Sequence, residues 1–431
     1  MPDDKQLSQT ATVEIHSGED AARASRRVSA RGTFAALQYP NYRLWFIGQM
    51  VSLIGTWMQS TAQGYLVYEL TGSPAYLGYV GFAAGVPSWL FMLYGGVIAD
   101  RMPRRTLLVL TQTSMMVLAF LLAGLTFTGR VQAWQIIVLA FFLGTANAFD
   151  APARQAFVLE MVDREHLTNA IALNSTMFNL ATAVGPAVAG LTYSALGPAW
   201  CFFINAISFL AVIVALLLMK LRPTVGTARH ASALAEIRHG FGYVRSNRLV
   251  RAIILNLGVL SLFGLGFIVL MPAWAVDVLG GDATTLGLLQ SARGVGAVAG
   301  ALMIAAVAGF IAREKLLAIG SFVFPILLLV YAGVRWLPLS LAILVGVGWA
   351  FMVVVNSSNS LVQTQVPDAL RGRVMGIFTF TFFGLMPIGS LLAGAAASRV
   401  GEPLTVVVGG VILLALAVGI RARVPELRGL S

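Results

Sequence analysis

The sequence predicts an all-α membrane protein in which twelve transmembrane helices form two pseudo-symmetric six-helix bundles. Three observations carry that expectation: a composition too apolar for a soluble core, apolar runs of membrane-crossing length along most of the chain, and a lopsided placement of the basic residues. Of 431 residues, 58% are hydrophobic and 11% charged, against about 45–50% and about 25% in soluble domains. A stretch of about 20 apolar residues crosses the hydrocarbon layer as a helix. The runs are continuous and rich in Leu, Ala and Gly rather than alternating, so helices and not barrel strands are expected. The 44 glycines suit helices that approach one another closely in lipid.

Taken in order, residues 1–40 are polar and lack an apolar core segment, and they read as a disordered basic cytosolic tail without a cleavable signal. The first half, residues 41–220, holds apolar spans at Tyr42 to Tyr68, Pro74 to Ile98, Arg105 to Phe127, Ala133 to Asp150, Thr168 to Ala195 and Ala199 to Lys220. Residues 221–248 form a cytoplasmic linker. Within it Leu234, Ile237, Phe241 and Val244 recur at helical spacing, which predicts a short amphipathic helix on the membrane surface. The second half, residues 249–424, holds spans at Leu249 to Val276, Thr284 to Ile311, Lys315 to Val334, Leu337 to Leu361, Gly372 to Ala397 and Leu404 to Arg423, and residues 425–431 are a cytosolic tail.

The basic residues test this reading independently of hydropathy, because cytoplasmic loops retain an excess of Lys and Arg. With the amino terminus inside, all but four of the 29 Lys and Arg fall on the cytoplasmic side. The exceptions are Arg130, Arg335 and Arg399 in external connections and Arg293 inside a span. Both termini are therefore expected in the cytoplasm. The net charge of +11 follows from topology and not from a nucleic-acid-binding patch.

The two halves resemble each other when one is slid over the other. "ELTGSPAYLG" (Glu69 to Gly78) meets "DVLGGDATTLG" (Asp277 to Gly287), each an external turn before a helix that opens with small residues. "GPAVAG" (Gly185 to Gly190) meets "GSLLAG" (Gly389 to Gly394), and "RRTLL" meets "REKLL". Weak internal symmetry of this kind is the mark of transporters that rock one bundle against the other.

Function is concentrated in the turn "GGVIADRMPRR", Gly95 to Arg105, which packs one acid and three bases between two apolar runs. The bases satisfy the topology rule, and Pro103 suits the start of a following helix. Asp100 needs another explanation. A carboxylate at the hydrocarbon boundary seeks a base or a helix amino terminus.

The turn resembles the loop signature of the major facilitator superfamily, which reads Gly, three residues, Asp-Arg, one residue, Gly, then Arg-Arg or Arg-Lys. Gly96, Asp100, Arg101, Arg104 and Arg105 match, and Pro103 replaces the second glycine. "GTWMQSTAQGYLVYELTGSP" (Gly55 to Pro74), "FDAPARQAFV" (Phe149 to Val158) and "VPDALRGRVMGI" (Val366 to Ile377) resemble the branch that holds the enterobactin exporter, macrolide efflux proteins and transmembrane secretion effectors. The resemblance implies the major facilitator fold and a conformational latch. In that latch Asp100 caps the cytoplasmic start of the eleventh helix near Leu370 to Gly372, and Arg104 pairs with Asp150 at the end of the fourth, beside Arg154. Such contacts stabilise one docking of the halves, here the outward-facing one. By the repeat, Gly309 stands where the second half would carry an acid, so a single latch is expected.

"GPAVAG" resembles the Gly-Pro signature of superfamily antiporters in the fifth helix, which points to export. Pro186 removes one backbone hydrogen bond, and Gly185 and Gly190 permit close packing. Candidate cavity residues are the polar ones within spans: Gln59 and Gln63 on one face of the first helix with Gly55, then Asn147, Asn174, Asn256 and Asn356, with Asn359 beside the last. Taken singly, each reads first as an interhelical hydrogen bond and only second as a ligand contact. Arg293 lies too deep to snorkel, and a buried partner, water or an anionic substrate would each stabilise it.

No Asp or Glu occupies the middle of a span, so proton coupling rests on the resemblance. No GxxxxGK[ST] loop is present, Cys201 is the single cysteine, and His16, His166, His230 and His239 all lie outside the spans. No nucleophile–base set can be assembled within the spans, so no enzyme is expected, and neither a metal nor another cofactor. The expected activity is secondary active export of a small amphipathic compound, a siderophore, secondary metabolite or drug, by alternating access with proton antiport in a bacterial inner membrane. An importer of the same fold is the alternative. The expected partners are the small-molecule substrate, protons and the lipid bilayer, with no nucleic acid, for a chain acting as a monomer.

Overall fold

The computed structural model describes residues 34–220, 233–307 and 310–424, with backbone alone at 92–101 and 233–239. Residues 1–33 of the tail expected at 1–40, residues 221–232 of the linker, the tail at 425–431, and Gly309 lie outside the described residues. Those described are almost entirely helical. The long helices are α1 (Pro40–Thr71), α2 (Pro74–Arg101), α3 (Arg104–Phe127), α4 (Ala133–Phe157), α5 (Leu167–Leu196) and α6 (Pro198–Leu218). A short helix α7 (Ala233–Ser246) precedes α8 (Arg248–Val278), α9 (Ala283–Val307), α10 (Arg313–Gly333), α11 (Leu337–Gln365), α12 (Asp368–Val400) and α13 (Glu402–Arg423). Among the described helices nine, α3, α4, α6 and α8–α13, are long and apolar enough to cross a membrane. Helices α1 and α5 are as long but carry rows of Gln, Ser, Thr and Asn.

Local chemistry sets the ends of these helices. Proline opens α1, α2 and α6, where its missing N–H costs no intrahelical bond. Gly72 ends α1 at φ 57° with its N–H on the Tyr68 carbonyl, and Gly280 after α8 takes φ 61°. These are the two matching turns of the sequence repeat, and both need the left-handed region that glycine enters freely. Asn247 caps α8 by accepting from the Val250 amide at 3.0 Å.

Three features differ from the sequence expectation. Residues 34–40, expected within the disordered tail, hold a 3-10 turn at Ala35–Gln38 and the start of α1, because Ala36 is buried and its N–H donates to Asn169 Oδ1 at 2.8 Å. The helix expected to start at Gly372 begins at Asp368, directly after Pro367 at its N-cap, so Leu370 to Gly372 form its first turn. Helix α8 contains two π turns, Leu260–Gly264 and Trp274–Val278, which apolar periodicity does not reveal.

Helix α1 packs on α5 and α6, α2 on α4, and α3 on α4 and α6, whereas α9 and α10 pack on α11, and α10 on α13. Two seams, α2 against α12 and α5 against α9, join the helices before residue 220 to those after 248. The connections divide into two ends. Gly72, Gly197, Gly280 and Gly401 lie at one, called the Gly72 end, and Pro103, residues 158–166, α7 and Pro367 at the other, the Pro103 end. Apolar clusters fill the interior of each half, around Tyr42, Trp45 and Phe157 in the first and Phe267, Trp274 and Phe324 in the second.

Helix α7 falls where the amphipathic helix was expected. The side chains of Leu234 and Ile237 lie outside the described residues. Val244 is buried, Gly240 lies against Arg373 and Ile377 of α12, and Phe241 faces outward. Tyr243 donates to the Gln365 carbonyl at 3.1 Å, so α7 is tied to the second half.

Candidate functional site

The seams are closed at the Gly72 end. There the Tyr68 hydroxyl of α1 donates to the Asp277 carboxylate of α8, and Ser194 of α5 and Thr284 of α9 share a hydrogen bond of 2.8 Å. About two turns deeper, Thr61 donates to Gln290 Oε1 at 2.8 Å, and midway along α2 Trp89 Nε1 donates to the Gly384 carbonyl at 2.8 Å. Small residues bring the backbones together. A Cβ on Gly287 would lie 2.5 Å from the Pro186 carbonyl oxygen, and one on Gly190 2.9 Å from that of Ala283. On the other seam a Cβ on Gly394 would lie 2.8 Å from the Gly78 Cα.

Toward the Pro103 end the halves part. The α5 stripe facing α9 is buried at Ala183 but exposed at Thr176 and Ala172. On α12 a Cβ at Gly372 or Gly376 would meet nothing within 4 Å. The molecule is thus a wedge, sealed at one end and open at the other.

The Gly-Pro signature belongs to this packing. Gly185 sits against Trp57 and Ile54 of α1, where a Cβ would come 2.5 Å from the Trp57 Cβ. Pro186 and Gly190 face α9, so one short motif fits α5 to both α1 and the opposite half.

The turn at residues 95–105 holds a correction. Gly96, Asp100 and Arg101 are in the last turns of α2, and the side chains of Asp100 and Arg101 lie outside the described residues. Arg104 does not pair with Asp150. Its Nη1 donates to Glu160 Oε1 at 2.8 Å, while Arg105 Nη2 donates to the Leu217 carbonyl at the end of α6. Depth explains the difference. Arg104 is the first residue of α3 and reaches the short 3-10 turn Val158–Glu160, whereas Asp150 lies level with the second turn of α3 and beyond. Asp150 is 1% exposed and accepts from Thr111 Oγ1 at 2.8 Å and Gln112 Nε2 at 2.9 Å, with Arg154 Nε 3.7 Å away. This is a buried polar knot between α3 and α4. Glu160 was not singled out from the sequence, since nothing in its spacing marks it as Arg104's partner.

The predicted cavity residues disperse. Gln59 accepts from Asn205 Nδ2 at 2.6 Å and, with Gly55 packed on Asn205 and Ser208, joins α1 to α6 within the first half. Asn147 is exposed and bonds its own helix at Leu143. Asn174 accepts from Tyr42 at 3.3 Å. Asn256 meets Ser321 at 3.3 Å in a crevice between α8, α10 and α13, away from both seams. Gln63 is buried on α1, one turn from Gln59, and Asn356 is half-buried on α11. Arg293 is 9% exposed on α9, and its Nε has no hydrogen-bond partner. Outside the spans, the hydrogen bond to Asp163 raises the pKa of the Tyr39 hydroxyl, which also meets His166.

A polytopic helical protein, pinched at one end of two inter-half seams and holding polar residues between them, has the architecture of a membrane transporter. The chain belongs to the transmembrane secretion effector family of the major facilitator superfamily, whose model matches residues 31–430. Among its relatives, the staphyloferrin A transporter of Staphylococcus aureus is 24% identical over 83% of this chain and 90% of its own. The multidrug efflux pump Tap of Mycolicibacterium fortuitum is 27% identical over 85% and 91%, and the enterobactin exporter EntS of Escherichia coli 27% over 89% and 93%. The fold is also that of solved transporters. A bacterial homologue of the human lysosomal transporter Spinster, in an inward-facing and unoccupied conformation, superposes with a TM-score of 0.68 at 12% identity, covering 93% of this chain and 98% of that one. The nucleoside transporter NupG gives 0.67 at 14% identity, covering 89% and 100%.

Proposed function

We propose that this protein is a secondary active exporter of a small amphipathic compound, driven by proton antiport. It crosses a bacterial inner membrane twelve times as two six-helix bundles, α1–α6 and α8–α13, with the Pro103 end in the cytoplasm. The observation that carries the reading is the wedge: seams sealed at the Gly72 end and parted at the Pro103 end. With the Lys and Arg excess at the Pro103 end, that wedge faces the cytoplasm and is the loading state of an exporter. The named functions of the sequence relatives, a siderophore transporter, a siderophore exporter and a drug efflux pump, support the direction.

The cycle then alternates two closures. Separation of Tyr68 from Asp277 and of Ser194 from Thr284 opens the outer end. The inner end closes as α2 approaches the first turn of α12, where Asp100 docks on the helix amino terminus at Asp368 to Gly372. Arg104 with Glu160, and Asp150 with Arg154, Thr111 and Gln112, hold α3 and α4 rigid beneath that latch.

The test is proton movement in energised inside-out vesicles, followed with a pH-sensitive dye while enterobactin, erythromycin and ethidium are added in turn. A substrate-dependent collapse of the proton gradient, absent from vesicles lacking the protein, supports the reading. A protein that moves one of these compounds with no proton movement contradicts antiport.

A further inference from the structure

We infer that Arg293 is an anion-recognition residue of the transport path, and that the exported compound carries a carboxylate, catecholate or similar negative group beside its apolar body. The inference rests on the export reading above and narrows its substrate class.

Position is the first argument. On α9 the residues facing outward are Leu288, Val295 and Leu302. At about 100° per residue, Arg293 lies opposite that stripe and so points into the protein. Gln290, three residues earlier and on the neighbouring face, reaches across to Thr61 of the first half. Gly294, the next residue, packs against Ala183 of α5, and the Arg293 carbonyl lies so close to α11 that a Cβ on Gly348 would come within 2.0 Å of it. Arg293 therefore sits where α9 meets both α11 and the opposite half, one turn past the Thr61–Gln290 hydrogen bond.

Charge is the second. Among the described residues the ion pairs are Arg104 with Glu160, Arg154 with Asp150 and Arg371 with Asp368, and none includes Arg293. The described acids cluster at the two ends of the molecule: Glu69, Asp277, Asp282 and Glu402 at one, and Asp150, Glu160, Asp163, Glu165, Glu314 and Asp368 at the other. A guanidinium cannot shed its proton, and at this depth, about 15 Å along α9 from Ala283, it cannot reach the interface. Its Nε is sealed without an acceptor. An interior cation with no anionic partner among the described residues favours an anionic guest and disfavours a cationic one. The planar fork of N–H donors suits two oxygens of a carboxylate or a catecholate.

The experiment measures binding and transport separately, on full-length protein in nanodiscs and in vesicles. Binding of enterobactin and staphyloferrin A as anionic probes, and of ethidium as a cationic one, is read by tryptophan fluorescence for wild type, Arg293→Gln and Arg293→Lys. The expected result is binding of at least one anion, weakened ten-fold or more in Arg293→Gln and partly restored in Arg293→Lys, with both variants eluting and melting as wild type does. Anion binding that is equal in wild type and Arg293→Gln overturns the inference, as does failure of wild type to bind either anion. The two readings fail differently. Arg293-dependent anion binding without outward flux retains the anion site and removes export, whereas outward flux of ethidium alone retains export and removes the anion site.

Discussion

The Tyr68 hydroxyl of α1 donates to the Asp277 carboxylate of α8, one of the hydrogen bonds that fasten one half of the molecule to the other at the sealed end. Asp277 lies in a π turn, Trp274–Val278, where the backbone register already departs from a regular helix. A clasp held on a locally irregular turn can part without unwinding the rest of α8. Tyr68→Phe removes it while keeping the ring. A net loss of about 1 kcal/mol from the sealed state changes the ratio of sealed to open molecules about five-fold, and spin-label distances across the Gly72 end should shift toward the longer population.

Close backbone approach makes a sharper prediction. A Cβ on Gly287 falls 2.5 Å from the Pro186 carbonyl oxygen, and backbone cannot step aside as a flexible side chain can. Gly287→Val should therefore hold the α5/α9 seam apart at the Gly72 end. Transport should drop at least ten-fold while membrane insertion, read from the amount and monodispersity of purified protein, stays near wild type.

The two acids of the latch region should separate cleanly. Asp150 is buried among Thr111, Gln112 and Arg154, so Asp150→Ala strands their donors and should cost about 1–3 kcal/mol. The Arg104–Glu160 pair is partly exposed, with side chains 26% and 14% accessible, and Glu160→Gln should cost less than about 1 kcal/mol. Thermal unfolding in detergent ranks the two. If Arg104 were the partner of Asp150, Arg104→Ala would be as harmful as Asp150→Ala.

Asp100→Asn should lower transport without lowering insertion. An uncharged amide keeps the size of the side chain and loses most of its attraction to the amino terminus of α12. Export measured at equal protein density decides this. A full rate in the variant removes the latch.

Much of the helical architecture was legible because lipid imposes length and continuity on each apolar run, and because turns such as Gly72 and Gly280 demand glycine. The seam glycines were legible too, as small residues at fixed spacing in "GPAVAG". What spacing could not supply is which polar side chain meets which. Gln59 and Asn256 are the kind of residue that lines a cavity, yet each turns to a neighbour within its own half, Asn205 and Ser321. Asp150 and Glu160 differ by ten positions in sequence, and only the level of α3 that each faces decides which reaches Arg104. Tyr68, Thr61 and Gln290 resemble ordinary helix residues until the two halves are brought together. Arg293 was found because a charge in an apolar span needs no partner to be conspicuous.

The most direct test of alternating closure uses Ser194 and Thr284, whose hydroxyls are 2.8 Å apart across the α5/α9 seam. Replacing both, Ser194→Cys with Thr284→Cys, allows a disulfide to tie the Gly72 end shut, and the native Cys201 is buried away from solvent. Outward flux of whichever compound the vesicle assay identifies should then stop on oxidation and return on reduction. Undiminished flux with the disulfide fully formed would contradict the account.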